Sequence, residues 1–407
     1  MKYLIVIPDG MADEPIAELG NLTPMQKAQK PTMDALAADA LVGTVSNVPQ
    51  GMVPESDTAN LAILSYDPKI YSKGRSPLEA VSMGIQMRDD ETAYRCNVVT
   101  LSDNGEDYDD KIILDHSADE ITTKEADELI KALQAHFGSE TTHFYTGISY
   151  RHCMIIRNGN DHYPFARPHD ILGKRIGEYL PKTTDGGGAD FYRMMRESFE
   201  ILNHHPVNEA RRARGLKPAN SAWFWSPGKK PQLPSFSEKW GVRGTVISAV
   251  DLIKGIGLCA GMRSIDVEGA TGNVHTNYKG KAEAAIRAFT EGDDLVYVHV
   301  EAPDECGHRA ETANKVLSIE KIDAEILSPV LNYLKNTGEP FRVMVLPDHP
   351  TPIRLRTHTI DPVPFFIYSS DRKCDGVTHF DEASAAAKHN YLAEGHRLME
   401  LFLDKAD

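Results

Sequence analysis

The sequence predicts an α/β fold: a doubly wound, mostly parallel sheet with an inserted α+β domain. Three observations predict it. Short apolar runs of about six residues, rich in Val, Ile, Leu and aromatics, read as strands buried on both faces. Helical patterns lie between them, the alternation expected of βαβ units. A central tract departs from this pattern, with strand-like pieces, one amphipathic helix and Gly- and Pro-rich loops of its own.

In chain order, YLIVIP (3–8) is the first strand and PTMDALAADA (31–40) a helix. The central tract carries AYRCNVVTLS, CMIIRNG and SAWFWSPG as strands and KEADELIKALQAHF as a helix. Within it, DGGGAD (185–190) reads as a loop, because no Gly-Lys-Ser/Thr follows to make it a phosphate-binding P-loop. The α/β pattern resumes at GTVISAVDLIKGIGLCAGM (244–262) and GKAEAAIRAFTEG (280–292). The runs LVYVHV (295–300), FRVMVLP (341–347) and VPFFIY (363–368) read as further parallel strands. Residues 316–338 and 389–407 read as helices. At 407 residues the chain exceeds one ordinary domain. The predicted division is a core of 1–86 and 239–407 with an inserted domain of 87–238.

Lys and Arg number 44 against 59 Asp and Glu, a formal charge of −15, which disfavours nucleic acid and anionic membranes as partners. An anionic small molecule stays open, because a local cationic cluster can outweigh the global charge. The five cysteines are scattered without a CxxC, so they read as reduced thiols of a cytoplasmic protein. MKYLIVIPDG is too short in its apolar stretch for a signal peptide, and no run of about 18 apolar residues spans a membrane.

Candidate chemistry gathers where strands end. Asp9 follows YLIVIP; by itself, Asp-Gly after a strand is a common turn. Asp304 follows LVYVHV, and His308 lies four residues on, on the same face of a helical turn. A helix-capping Asp with an unrelated His is the plainer reading of that pair alone. Cys306 between them points elsewhere on the turn and reads as a bystander. Asp348 and His349 follow FRVMVLP, and His358 precedes the next strand. In a doubly wound sheet, ligands collect beyond the carboxyl ends of the strands. Carboxylate and imidazole together suit Mn²⁺, Zn²⁺, Co²⁺ or Mg²⁺, with Mn²⁺ or Zn²⁺ favoured by the three histidines. The set exceeds one tetrahedral site, which points to two metals clamping a displacement at phosphorus. Ser56, in a polar loop just before an apolar helix, is the candidate nucleophile; its plainer reading is a helix cap, in competition with Asp57 and Thr58.

These residues sit in motifs that resemble the archaeal type of cofactor-independent (2,3-bisphosphoglycerate-independent) phosphoglycerate mutases, within the alkaline phosphatase superfamily. The motifs are IPDGMAD (7–13), PESDTANLAILSYDP (54–68), GRSPLEA (74–80), ARPHDILGK (166–174), HPVNEARRARGLKPAN (205–220), VISAVDLIKGIGLCAGM (246–262), APDECGH (302–308), LPDHPTP (346–352) and RTHTIDPVPF (356–365). The resemblance implies a phosphoserine on Ser56, with one metal on Asp304, His308 and His358 and the other on Asp9, Ser56, Asp348 and His349. It implies transfer between the 3- and 2-hydroxyls of glycerate, with two divalent ions, Mn²⁺ first among them, and the insertion closing over a phosphoglycerate. A carboxylate and a phosphate call for arginines. Arg75, Arg151 and Arg167 are the candidates, with His169 and Asp170 for acid/base work and Lys279 or Lys281 nearby. Two departures stand out: Ser76 replaces a Gly common in relatives, and SAWFWSPGKKPQLPSF lacks an arginine pair of the longer bacterial-type mutases. The alternative is therefore a related metal-dependent phosphotransferase, such as a homoserine-phosphorylating enzyme, or a phosphatase on the same scaffold.

Overall fold

The computed structural model describes residues 1–184 and 187–405. They form two compact units, one of Met1–Ser72 with Gln232–Asp407 and one of Lys73–Pro231. The sequence reading placed the crossings at 86/87 and 238/239. The segment from Lys73 belongs with the second unit because helix Ser76–Ser82 packs on that unit's own sheet, with Glu79 ion-paired to Arg95.

The strands, in chain order, are β1 (Lys2–Pro8), β2 (Leu41–Val45), β3 (Glu91–Leu101), β4 (Ile113–Asp115), β5 (Thr142–Ile148), β6 (Arg151–Arg157), β7 (Ser221–Lys229), β8 (Gly244–Ile247), β9 (Arg263–Ile265), β10 (Leu295–Val300), β11 (Phe341–Val345), β12 (Val363–Ser369) and β13 (Tyr391–Leu392). The first unit holds an eight-stranded sheet in the order β13-β2-β12-β11-β1-β10-β8-β9. β1 lies at its centre, parallel to both β10 and β11. Every residue of β10 and β11 is buried, as their unbroken apolar runs require. Leu4, Val6, Val296, Val298, Val343 and Val345 join Ala285, Ile322 and Leu327 from the covering helices in one core. Each such side chain contributes about 1.5–3 kcal/mol on burial.

Three sequence expectations change here. VPFFIY is a strand, but β12 runs antiparallel to both β11 and β2. The 346–362 segment contains no helix, and a parallel return would need a crossover that a helix usually supplies. The 316–338 helix is continuous but passes through a π turn at Ile322–Leu327, just ahead of Pro329. Proline lacks an N–H and crowds the carbonyl four residues back, so a wider turn accommodates it. The C-terminal stretch is not one helix: β13 and the turn Gly395–Arg397 precede a short helix, Leu398–Leu403. Backbone pairing of Asn390 with Thr44 draws the segment onto the sheet edge instead.

The second unit is antiparallel. β3 is flanked by β6 and β7, β5 lies outside β6, and β4 pairs with the end of β3. Helices Thr123–Phe137 and Gly188–Leu202 cover it over Tyr94, Val98, Leu129, Met195, Trp223 and Phe224. Of the Gly-rich run read as a loop, Asp185 and Gly186 lie outside the described residues, whereas Gly188 already opens a helix. The five cysteines carry free thiols. Among the described residues no helix is long and apolar enough to cross a membrane.

Candidate active site

The register of the central strands decides which side chains meet. Pro8 pairs with Val300, and Val6 with Val345, so β1, β10 and β11 end side by side. Asp9 follows the first, Asp304 and His308 sit on helix Ala302–Arg309 after the second, and Asp348 and His349 follow the third. Gly10 lets these ends close up. Its φ is +60°, and a Cβ there would lie 2.8 Å from the Asp304 Cα and collide with the Thr351 hydroxyl.

Asp304, His308 and His358 form one cluster. Asp304 Oδ2 lies 3.2 Å from His308 Nε2, and Asp304 Oδ1 lies 3.2 Å from His358 Nε2. The far nitrogens are turned outward: Nδ1 of His308 donates to the Arg356 carbonyl at 3.0 Å and Nδ1 of His358 to the Pro54 carbonyl at 2.6 Å. Such anchoring of one ring nitrogen aims the other at a metal. The two Nε2 atoms end 2.9 Å apart, an arrangement that needs a proton or a cation between them. Hydrogen bonding to Asp304 pushes His308 up to about 9. Burial pushes His358 down, but its bond to Asp304 and that carboxylate's charge outweigh burial and raise it.

Asp9, Asp348, His349 and Ser56 form the second cluster. His349 Nε2 lies 3.1 Å from Ser56 Oγ, 3.5 Å from Asp348 Oδ2 and 3.6 Å from Asp9 Oδ1. Ser56 is the first residue of helix Ser56–Ile63, with Glu55 at the cap position, and its hydroxyl faces His349. The clusters adjoin, because Asp9, Asp304 and His349 also bring ligand atoms within 4.8 Å of one another. The His349 and His358 rings stack with centroids 3.9 Å apart. Burial, then the charges of Asp348 and Asp304, raise Asp9 well above the carboxylate range.

Divalent metal ions fit this donor set. Carboxylate oxygen and imidazole nitrogen bind at about 2.0–2.2 Å, which puts neighbouring ligand atoms about 3.0–3.5 Å apart, close to the spacing found in both clusters. Asp9 Oδ1 is buried and accepts no hydrogen bond, an unmet acceptor that a cation would satisfy. The crowding of three carboxylates that raises Asp9 is what positive charge relieves.

Sequence reasoning missed several supporting residues. His299, in β10, is fully buried, with Nε2 2.9 Å from Asp9 Oδ2 and Nδ1 3.1 Å from Ser248 Oγ. Burial pushes it down to about 4, so it stands neutral. Thr351 donates to Asp304 Oδ1 at 2.5 Å. Asn60 donates to Asp348 Oδ2 at 2.8 Å and accepts from the Tyr297 phenol. Polar residues inside otherwise apolar runs, His299 in LVYVHV and Asn60 in TANLAIL, were the available signal. Of the two lysines, Lys279 is exposed, whereas Lys281 is buried and donates to the His299 carbonyl at 2.8 Å. Cys306 is buried, and burial pushes its thiol up to about 12.

The other predicted substrate residues lie in the second unit. The His169 ring meets Trp225 edge-on at 5.4 Å and His116 at 6.1 Å, and its Nε2 is 3.6 Å from Asp170. His116 in turn meets Tyr150, over which the Arg151 guanidinium lies at 5.3 Å. Arg167 precedes the turn Pro168–Ile171, close enough to depress His169 further, after burial and against Asp170. Arg75 is at the cap of helix Ser76–Ser82.

Comparison with known proteins agrees along the whole chain. The profile of the 2,3-bisphosphoglycerate-independent phosphoglycerate mutase family matches residues 37–208. A probable 2,3-bisphosphoglycerate-independent phosphoglycerate mutase of Geobacter sulfurreducens is 46% identical over 407 residues, covering 100% of both chains. The mutase of that name from Methanosarcina acetivorans is 48% identical over 388 residues, 94% of this chain and 95% of its own. Among solved structures, a protein from Pyrococcus horikoshii superposes with a TM-score of 0.81 at 26% identity, covering 100% of this chain and 98% of its own. The cofactor-independent phosphoglycerate mutase from Thermoplasma acidophilum does so with a TM-score of 0.67 at 26% identity, covering 100% of both. The chain belongs to the 2,3-bisphosphoglycerate-independent phosphoglycerate mutase family.

Proposed function

We propose that this chain interconverts 3-phosphoglycerate and 2-phosphoglycerate through a phosphoserine on Ser56. The observation that carries the reading is the approach of the Ser56 hydroxyl to His349, 3.1 Å, at the edge of two adjoining acidic and imidazole clusters. Asp304, His308 and His358 would hold one divalent ion, and Asp9, Ser56, Asp348 and His349 the other. Mn²⁺ is proposed first, with Zn²⁺, Co²⁺ or Mg²⁺ as the alternatives that a mixed carboxylate and imidazole set also suits. Bound there, the two ions would neutralise charge on the transferring phosphoryl group and lower the pKa of the serine hydroxyl.

The reaction has two halves. Ser56 Oγ forms a bond to phosphorus as the bond from phosphorus to the 3-oxygen of glycerate breaks; the serine gives up its proton and the released oxygen takes one. The 2-hydroxyl of the retained glycerate then attacks the phosphoserine as the bond from phosphorus to Ser56 Oγ breaks; the 2-hydroxyl gives up its proton and the serine oxygen takes one. Arg75, Arg151, Arg167, His169, Asp170 and Lys279 are proposed to recognise the substrate's carboxylate and phosphate, for which guanidinium groups are suited. The five free thiols support a reducing compartment, the cytoplasm.

The test is direct. Purified protein with Mn²⁺ and 3-phosphoglycerate, without bisphosphoglycerate, is expected to yield 2-phosphoglycerate, and the Ser56→Ala variant to yield none. Release of inorganic phosphate in place of the isomer would mark a phosphatase, and absence of product with any divalent ion would sink the reading.

A further inference from the structure

We propose that Asn60, locked in place by Tyr297, is a positioning residue that holds the Ser56 main chain in register with the Asp348 carboxylate. The inference rests on Ser56 as phosphoryl acceptor and adds how that serine is aimed.

Asn60 is fully buried, one turn beyond Ser56 on helix Ser56–Ile63. Its Nδ2 donates twice, to the Ser56 carbonyl at 2.8 Å and to Asp348 Oδ2 at 2.8 Å. Its Oδ1 accepts from the hydroxyl of Tyr297, a fully buried residue of β10. Both donor hydrogens and the acceptor are therefore engaged, and the amide has one satisfied orientation. Flipped, it would set Oδ1 against the Asp348 and Ser56 oxygens and its NH₂ against the phenol.

Asp348 is held from the other side as well. Its Oδ1 accepts from the Gly10 N–H at 3.2 Å and from the His349 N–H at 2.9 Å. Asn60 supplies the side-chain donor to Oδ2, so the plane of this carboxylate is set jointly by the β1 end, the β11 end and the Ser56 helix. One amide thus ties together the strand carrying Tyr297, the nucleophile's own backbone and a metal-cluster carboxylate. Asn60 and Tyr297 act on Ser56 and Asp348 rather than on substrate. A displacement of about 1 Å at a reacting group costs about 10²-fold in rate, so losing the clamp should act on kcat. It should also raise the Mn²⁺ concentration needed for half-maximal activity, because outer-sphere partners tune metal affinity by about 10–100-fold.

Steady-state kinetics with 3-phosphoglycerate, Mn²⁺ activation curves and melting temperatures would be measured on the full-length wild type, Asn60→Ala, Asn60→Asp, Tyr297→Phe, the Asn60→Ala/Tyr297→Phe double variant and Ser56→Ala. Asn60→Ala is expected to lower kcat by about 10²-fold with KM within about threefold. Asn60→Asp, of equal volume, exchanges a donor for an acceptor facing Asp348 and is expected to be slower still, with a higher Mn²⁺ requirement. Tyr297→Phe is expected to lose about 5–10-fold alone and nothing further in the Asn60→Ala background, because it acts only through Asn60. Wild-type kcat in Asn60→Ala, or losses that multiply in the double variant, would overturn the proposal. Should Asn60→Ala not fold, Tyr297→Phe carries the test: reduced kcat at an unchanged melting temperature supports the clamp, and wild-type kcat overturns it. Full turnover by Ser56→Ala would refute the nucleophile reading itself, whereas an inactive Ser56→Ala beside a fully active Asn60→Ala removes the clamp alone.

Discussion

At the residue scale, Gly10 shows how little space the centre leaves. Its backbone is left-handed, and a Cβ would meet the Asp304 backbone and the Thr351 hydroxyl, the group bonded to Asp304. Gly10→Ala is expected to cost about 1–2 kcal/mol for the backbone and about 1–3 kcal/mol for overpacking. Urea denaturation would measure the sum, and a loss below about 0.5 kcal/mol would contradict the packing described. The candidate ligand residues were legible from sequence because their types announce their chemistry and Asp9, Asp304, His308, Asp348, His349 and His358 gather in the segments around strand ends. His299 and Thr351 were not, because a lone polar residue in an apolar run or a loop acquires meaning only through the neighbour that the fold puts beside it. Ile7 pairs with His299 across β1 and β10, and that pairing brings the imidazole to Asp9.

At the scale of elements, one short helix ties the chain near its C-terminus to the first strand's loop. Glu382 opens helix Glu382–Ala386 and accepts from the Asp13 N–H at 3.0 Å and the Thr23 hydroxyl at 2.8 Å. Burial pushes its carboxyl up to about 7. The folded pKa lies above the unfolded value, so the protonated form favours the fold. That stability is fully present below about pH 4.3, the ordinary glutamate value, and is lost as pH climbs through about 7. Glu382→Gln is expected to gain about 1–3 kcal/mol relative to wild type at pH 8 compared with pH 5. Parallel urea melts at the two pH values would measure it; an equal difference at both would remove Glu382 as a source of the pH dependence. Helix and strand positions were largely readable from periodicity, and the errors have separate causes. β12 reads like its parallel neighbours because burial on both faces dictates composition whatever the direction. β13 was absorbed into a helical pattern because two residues of edge pairing leave no period to detect.

At the scale of the whole molecule, the first unit assembles its acidic and imidazole clusters from segments as distant as residues 9 and 358. Ions bound there stabilise the folded state by mass action, about 2.7 kcal/mol at a concentration a hundred times Kd. Chelation is therefore expected to abolish activity and lower the melting temperature by several degrees, and Mn²⁺ to restore both. A melting temperature indifferent to chelator and Mn²⁺ would argue against metal binding at these clusters. The −15 charge predicts nothing of this, since it is a sum over the whole chain and says nothing of where charges meet.

The sequence by itself determined the fold class, the family and the candidate metal ligands. Apolar runs, strand ends and motif spacing are local properties, and they survive in a one-dimensional reading. Tertiary structure alone decided the distances within each cluster, that Ser56 faces His349 instead of capping its helix, and that Asn60 and Tyr297 stand behind this candidate nucleophile. Those relations depend on strand order and register. β1 is flanked by strands that lie 292 and 339 residues away in the chain (Tyr3 to Leu295, Lys2 to Phe341), and hydrogen bonding across such distances leaves no trace in local composition.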